Sequence, residues 1–204
     1  MRYNEDMRPL ALLAPPLRRR LQQWLARAQR AGLREPTAMA LATADRAGRP
    51  SVRTVLLKGL DARGLVFYTN VHSRKGRALT ANPRAALGFY WDPLRRQILV
   101  EGRVEPVSHR EADAYWATRP RASQLAAWAS QQSQVLDRRA TLLARLAAAR
   151  RRFAGHPVPR PPHWLGLRLL PARIEFWIAR PNRLHERLCY VRRGRRWTRT
   201  LLYP

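Results

Sequence analysis

A single cysteine, Cys189, occurs in 204 residues. No disulfide can form within one chain, and a reducing, cytoplasmic setting is expected. Acidic residues are scarce, 13 against 40 basic ones, so candidate general acids and bases are few. The five histidines, at 72, 109, 156, 163 and 185, are scattered, and no Ser-His-Asp set follows from their spacing. No P-loop, dinucleotide glycine fingerprint or metal-ligand cluster is present, so no metal is expected. No apolar run approaches the roughly 18 residues of a membrane helix. The N-terminal MRYNEDMRPL carries acids where a signal peptide is basic and then apolar, and LALLAPPL is broken by prolines. These features predict a soluble protein that is neither exported nor membrane-bound.

Charge of one sign dominates what remains. The formal net charge is +27, which invites a polyanion-binding reading. The cations are spread along the chain, with only short clusters at 18–20, 150–152 and 192–196. Zinc-finger spacing, RNA-binding strand motifs and Gly-Arg repeats are absent. We therefore expect no specific nucleic-acid partner, only weak, salt-sensitive attraction to polyanions. All basic residues but Lys58 and Lys75 are arginine. An ammonium is a compact point charge and a guanidinium a broad fork, so these two positions suggest places where the fork does not fit.

The chain is long enough for one substantial core, and 46% of its residues are hydrophobic. Leu17, Leu21, Trp24, Leu25 and Ala28 share one face of a helix over 16–33. The period then shortens. Strands are predicted over 37–44, 51–59 and 65–70, a capped helix over 73–83, and a hairpin over 84–91 and 96–107. Helices over 108–119, 121–130 and 137–153 follow, the first opened by a Ser108/Glu111 capping box. A proline-rich connection leads to strands over 164–171, 173–179, 187–191 and 195–202. About seven strands with tight turns, interrupted once by helices, predict a closed or split barrel. One domain spans 1–204, with a mobile segment over 1–15.

Three places look built for an anion. Arg53 and Lys58 lie within the apolar stretch VRTVLLKGL, where a buried cation needs a counter-charge. Five residues apart, they face opposite sides of a regular strand, so one ligand reaches both only if the strand bends. Ser73-Arg74-Lys75 places two cations at the positive end of a helix. In YWATRPRASQ, Pro120 turns the chain so that Tyr115, Arg119 and Ser123 can converge on one small anion. A solvated helix-turn-helix corner accounts for those residues equally well. Two anion cradles beside so few acids and bases suggest a phosphorylated cofactor acting on a phosphorylated substrate.

RTVLLKG, VFYTN-x-x-SRKG, NPRAAL-x-FYW, RQ-x-x-V-x-G, YWATRPRASQ-x-x-AWAS-x-QS, IEFW and NRLHER resemble, in order, the motifs of pyridoxine/pyridoxamine 5′-phosphate oxidases. The likeness covers roughly residues 36–200. It implies an α+β, mainly β fold: an FMN-binding split β-barrel of Greek-key type with peripheral helices. It implies a homodimer with FMN at the subunit interface, both chains contributing to each site. The FMN contacts it implies are Arg53, Thr54, Val55, Leu56, Leu57, Lys58, Tyr68, Thr69, Arg74, Lys75, Gln97, Gln132, Ser133, Trp177 and Arg187. The implied substrate contacts are Lys58, Tyr115, Arg119 and Ser123 on the phosphate, with Arg183 and His185 over the pyridine ring as catalytic residues.

The activity implied is oxidation of pyridoxamine or pyridoxine 5′-phosphate to pyridoxal 5′-phosphate, with O2 as acceptor. Two departures stand out. Relatives commonly end in Arg-Leu-x-Pro, whereas this chain ends Leu201-Leu202-Tyr203-Pro204. The family's N-terminal Arg and Tyr that close over substrate have only Arg2 and Tyr3 as poor counterparts. Two rival readings remain at this point: an FMN oxidase of the same fold acting on another ring, such as a phenazine precursor, and a basic polyanion-binding module.

Overall fold

A computed structural model describes residues 12–204. The expected mobility of the N-terminal segment falls, over 1–11, outside the described residues. Leu13 is buried at 1% exposure, and α1 (Pro15–Arg30) begins two residues later with proline in its first turn. Pro has no N–H to lose there and its φ suits the helix start. Leu17, Leu21, Trp24 and Ala28 form the buried stripe, and Trp24 meets Phe176 edge-on at 5.0 Å.

Nine strands form one antiparallel sheet: β1 (Ala38–Ala44), β2 (Pro50–Leu56), β3 (Gly59–Leu60), β4 (Leu65–Asn70), β5 (Arg84–Trp91), β6 (Arg96–Pro106), β7 (Trp164–Ile178), β8 (Glu186–Arg193) and β9 (Arg196–Leu202). The main path runs β2-β1-β5-β6-β7-β4-β3, and the β8–β9 hairpin adds to β7. β2 and β3 stand at opposite ends of that path, yet only Leu57 and Lys58 separate them in the chain. A flat sheet of seven strands is roughly 29 Å wide, while two residues span at most ~10 Å. The sheet must therefore curl until its ends meet, and Lys58 lies at the seam. Leu41, Phe67, Leu87, Phe89, Ile98, Val100, Leu169 and Ile174 fill the interior.

Two segments differ from the expectation of about seven strands. The stretch 51–59 is not one strand, because the chain leaves β2 after Leu56 and re-enters the sheet as β3. Residues 164–171 and 173–179 are not two strands; β7 runs unbroken through Pro171. A register shift between Glu101 and Gly102 on β6 absorbs the disruption, so the proline sits where ladder bonding is already irregular.

The helices lie outside the sheet. α2 (Arg74–Ala81) follows β4, and Ser73 caps it, its Oγ accepting from the Gly76 amide. Gly76 is obligatory, since a Cβ there would stand 2.2 Å from the Val71 carbonyl oxygen. Between β6 and β7 come α3 (His109–Ala117), α4 (Arg121–Ala129) and α5 (Arg139–Arg152). They pack through Trp116, Leu125, Ala149, Phe153, Val158 and Trp164 into a second, smaller core. No described helix is long and apolar enough to cross a membrane.

Candidate active site

A cavity of about 600 Å³ opens where the β2–β3 break, β4, α2 and the α3–α4 corner meet. Its lining includes Thr54, Val55, Leu56, Lys58, Tyr68, Thr69, Lys75, Tyr115, Arg119, Ser123 and Gln132. Lys58, exposed and not buried as expected, lines this cavity just past the end of β2, whereas Arg53, half-buried on β2, does not line it. The α3–α4 corner, left open above, faces this cavity.

On the wall formed by β4 and α2, Lys75 is buried at 9% exposure. Its Nζ donates to Gln132 Oε1 at 2.9 Å, Thr69 Oγ1 at 3.2 Å and Ser73 Oγ at 3.3 Å. Every one of these acceptors is neutral. Burial and the nearby Arg53 charge push the Lys75 ammonium down to about 8. Arg53 is held in the same way, donating to Leu41 O, Thr43 Oγ1 and Ser51 Oγ. Burial and the Arg74 charge lower its pKa. Three cations thus crowd the start of α2, and among the described residues no carboxylate is bonded to Lys75 or Arg53. Desolvated like charges of this kind require an anion, and the donor set fits the phosphate of FMN. Ser133 follows Gln132 in a left-handed conformation, φ 71°, on the loop after α4.

The opposite wall is aromatic. Tyr68 and Tyr115 stack at 4.1 Å, and Tyr68 stacks on Trp164 at 4.9 Å. Gly166 permits this: a Cβ there would lie 2.6 Å from the Tyr68 ring. Burial, then the Glu111 charge, pushes the Tyr68 phenol up to about 12, so it stays a neutral hydroxyl. The Arg119 guanidinium lies 4.6 Å from the Trp164 ring centre and 5.2 Å from that of Trp116. Its only hydrogen bond among the described residues goes to the Ser123 carbonyl at 3.3 Å. Trp164, Asn70, Thr118 and Ser130 also line the cavity and were not foreseen from sequence. Trp164 carries no local signal, since it follows a proline-rich connection and meets Tyr68 and Arg119 only through tertiary packing.

The remaining predicted residues form a second set elsewhere. Gln97 on β6 pairs in register with Trp177 on β7, which pairs with Arg187 on β8. The Trp177 and His185 rings are 4.7 Å apart. His185 Nδ1 accepts from the Arg180 amide at 3.1 Å, which leaves Nε2 as the protonated ring nitrogen. Asn182 and Arg183 both adopt left-handed φ, 55° and 61°, a strained turn of the kind that aims side chains at functional sites. Arg187 donates to both oxygens of buried Glu175, at 2.7 and 3.1 Å. Along β7, Gly166 beneath Tyr68 and Trp177 lie on the order of 30 Å apart at ~3.3 Å per residue. None of Gln97, Trp177, Arg183, His185 or Arg187 lines the first cavity. Leu57 is buried in the core, and its amide donates to the Thr37 carbonyl at 2.9 Å. Arg2 and Tyr3 lie outside the described residues.

Comparison with known proteins fixes the class. A family model described as pyridoxamine 5′-phosphate oxidase matches residues 25–153. A second, described as the pyridoxine 5′-phosphate oxidase C-terminal dimerisation region, matches 164–204. A pyridoxine/pyridoxamine 5′-phosphate oxidase of Rubrobacter xylanophilus is 59% identical over 186 residues, covering 91% of this chain and 86% of its own. That of Sphingopyxis alaskensis is 56% identical over 203 residues, covering 100% and 89%. Among solved structures, PhzG from Burkholderia lata, in complex with tetrahydrophenazine-1-carboxylic acid, superposes with a TM-score of 0.87 at 39% identity. That match covers 100% of this chain and 98% of the other. A Nostoc punctiforme protein, 20% identical over 94% of this chain and 99% of its own with a TM-score of 0.75, shares the fold. The curled sheet is that of the split-barrel oxidoreductases of this kind. The chain belongs to the pyridoxine/pyridoxamine 5′-phosphate oxidase family.

Proposed function

We propose that this protein oxidises pyridoxamine 5′-phosphate and pyridoxine 5′-phosphate to pyridoxal 5′-phosphate as a cytoplasmic homodimer. FMN, when bound, would supply the two-electron acceptor for hydride lost from the substrate C4′, with O2 as the final acceptor and H2O2 as its product. The amine substrate also releases ammonia, after water hydrolyses its imine. Arg53, Arg74 and Lys75 hold the FMN phosphate, with Thr69, Gln132 and Ser133 beside them. Lys58, Tyr115, Arg119 and Ser123 hold the substrate phosphate. Thr54, Val55, Leu56 and Lys58, at the barrel seam, and Tyr68 would contact the rest of the cofactor.

The observation that carries this reading is the division of the predicted residues into two sets at opposite ends of β7. One small molecule cannot reach both within one chain. A two-fold axis makes each patch meet the other patch of the partner, so a dimer assembles two complete sites. In each, one protomer gives both phosphate cradles and the other gives Gln97, Trp177, Arg183, His185 and Arg187. Arg183 then orients the pyridine ring and stabilises charge during hydride loss. His185 donates a hydrogen bond from Nε2 to the ring or its substituents.

The resemblance to PhzG favours a second reading, oxidation of a phosphate-free ring acid, in which Arg119 holds a carboxylate. Lys58, Tyr115, Arg119 and Ser123 lining one cavity give more donors than one carboxylate needs, which supports a phosphate. The test is the visible spectrum of the purified yellow protein without oxygen. Pyridoxamine 5′-phosphate should bleach the flavin band. No bleaching with it, but bleaching with a reduced phenazine carboxylate, would establish the second reading instead.

A further inference from the structure

We propose that Trp164 is a positioning residue that sets Arg119 against the substrate phosphate and ties that subsite to the cofactor side. This rests on the assignment of Arg119 to the phosphate. Among the described residues Arg119 pairs with no carboxylate, and its single hydrogen bond there, to Ser123 O at 3.3 Å, is long. A guanidinium has five donors and a flexible stem, so this bond alone cannot fix it. What fixes its plane is π surface: Trp164 at 4.6 Å and Trp116 at 5.2 Å.

Both indoles are immobile. Trp116 and Trp164 are 4% and 5% exposed, and their rings meet edge-on at 4.9 Å. Trp116 Nε1 donates to Val158 O at 2.7 Å. Of the two indoles only Trp164 also stacks on Tyr68, 9° from parallel. One ring therefore bears on both Arg119 and Tyr68. A cation–π contact uses none of the guanidinium N–H groups, and the hydrogen bond to Ser123 O uses one, which leaves the others for an anion. Burial of Arg119 without a carboxylate keeps that capacity unspent until substrate arrives.

The experiment uses FMN-loaded enzyme and steady-state kinetics with pyridoxamine 5′-phosphate. Trp164→Leu should raise KM about tenfold, the scale of a desolvated cation–π contact, with kcat within about twofold of the parent. Trp164→Phe, which keeps a smaller π face, should recover most of the loss. In an Arg119→Ala background, Trp164→Leu should change KM no further. An unchanged KM in Trp164→Leu, equal losses for Leu and Phe, or additive effects of Trp164→Leu and Arg119→Ala would each overturn the proposal. If Trp164→Leu does not fold, Trp164→Met takes its place in the same measurements. A parent enzyme inactive on pyridoxamine 5′-phosphate would instead refute the substrate assignment.

Discussion

Lys75 should make the cofactor-free protein less stable while it makes FMN bind tightly. Its Nζ is buried among Gln132, Thr69 and Ser73 oxygens without an anion. Its pKa falls from 10.5 to about 8, which at 1.36 kcal/mol per unit corresponds to roughly 3 kcal/mol. Partial solvent screening brings this to about 1–2 kcal/mol. Lys75→Met keeps the length and removes the charge. Melting of FMN-stripped protein at neutral pH should rise by about 2–8 °C for a chain of this size. The wild-type deficit should be complete below pH ~8 and vanish by ~10.5, because the unfolded chain holds the proton longer in that window. FMN affinity, followed by flavin fluorescence, should fall ~10- to 150-fold with the loss of a charged hydrogen bond. A variant that melts lower without FMN, yet binds FMN as the wild type does, would refute the reasoning.

Three further outcomes are expected. Arg119→Ala should raise KM for pyridoxamine 5′-phosphate more than tenfold and leave FMN content intact, measured by kinetics and flavin absorbance. Arg183→Ala should cut kcat by two orders of magnitude or more, on the scale of lost transition-state electrostatics, while the protein stays yellow. Glu175 is 1% exposed; burial raises its carboxyl pKa, but Arg187 and Arg173 outweigh this and hold it below its ordinary value. Glu175→Ala should cost about 3–5 kcal/mol in chemical denaturation. The Glu175 contribution in the wild type should be lost only as pH falls through that depressed value.

Much of this site is written in local sequence. The helix start at Ser73 and the turn at Pro120 are short-range features, and each put its cations where the fold has them. The strand break after Leu56 was hidden, because apolar residues continue through Leu57 and Leu60 and mask the seam. β7 read as two strands because Pro171 breaks strands in general; the tolerance comes from the irregularity at Glu101/Gly102 on its partner. Trp164 was invisible because its role lies in contacts with Tyr68 and Arg119, far away in the chain. Leu201, where the resemblance leads one to expect arginine, is 76% exposed. Nearby, Arg187 donates to the Tyr203 carbonyl at 3.0 Å, so the last residues remain tied to the second set.

Subunit complementation tests the divided site most directly. Arg119→Ala and Arg183→Ala chains carrying different tags are co-expressed and their heterodimer purified. With each site built from two protomers, the heterodimer holds one doubly damaged site and one intact site, so it should regain about half the wild-type turnover per dimer. A purified, FMN-loaded heterodimer no more active than its parent homodimers would contradict the account.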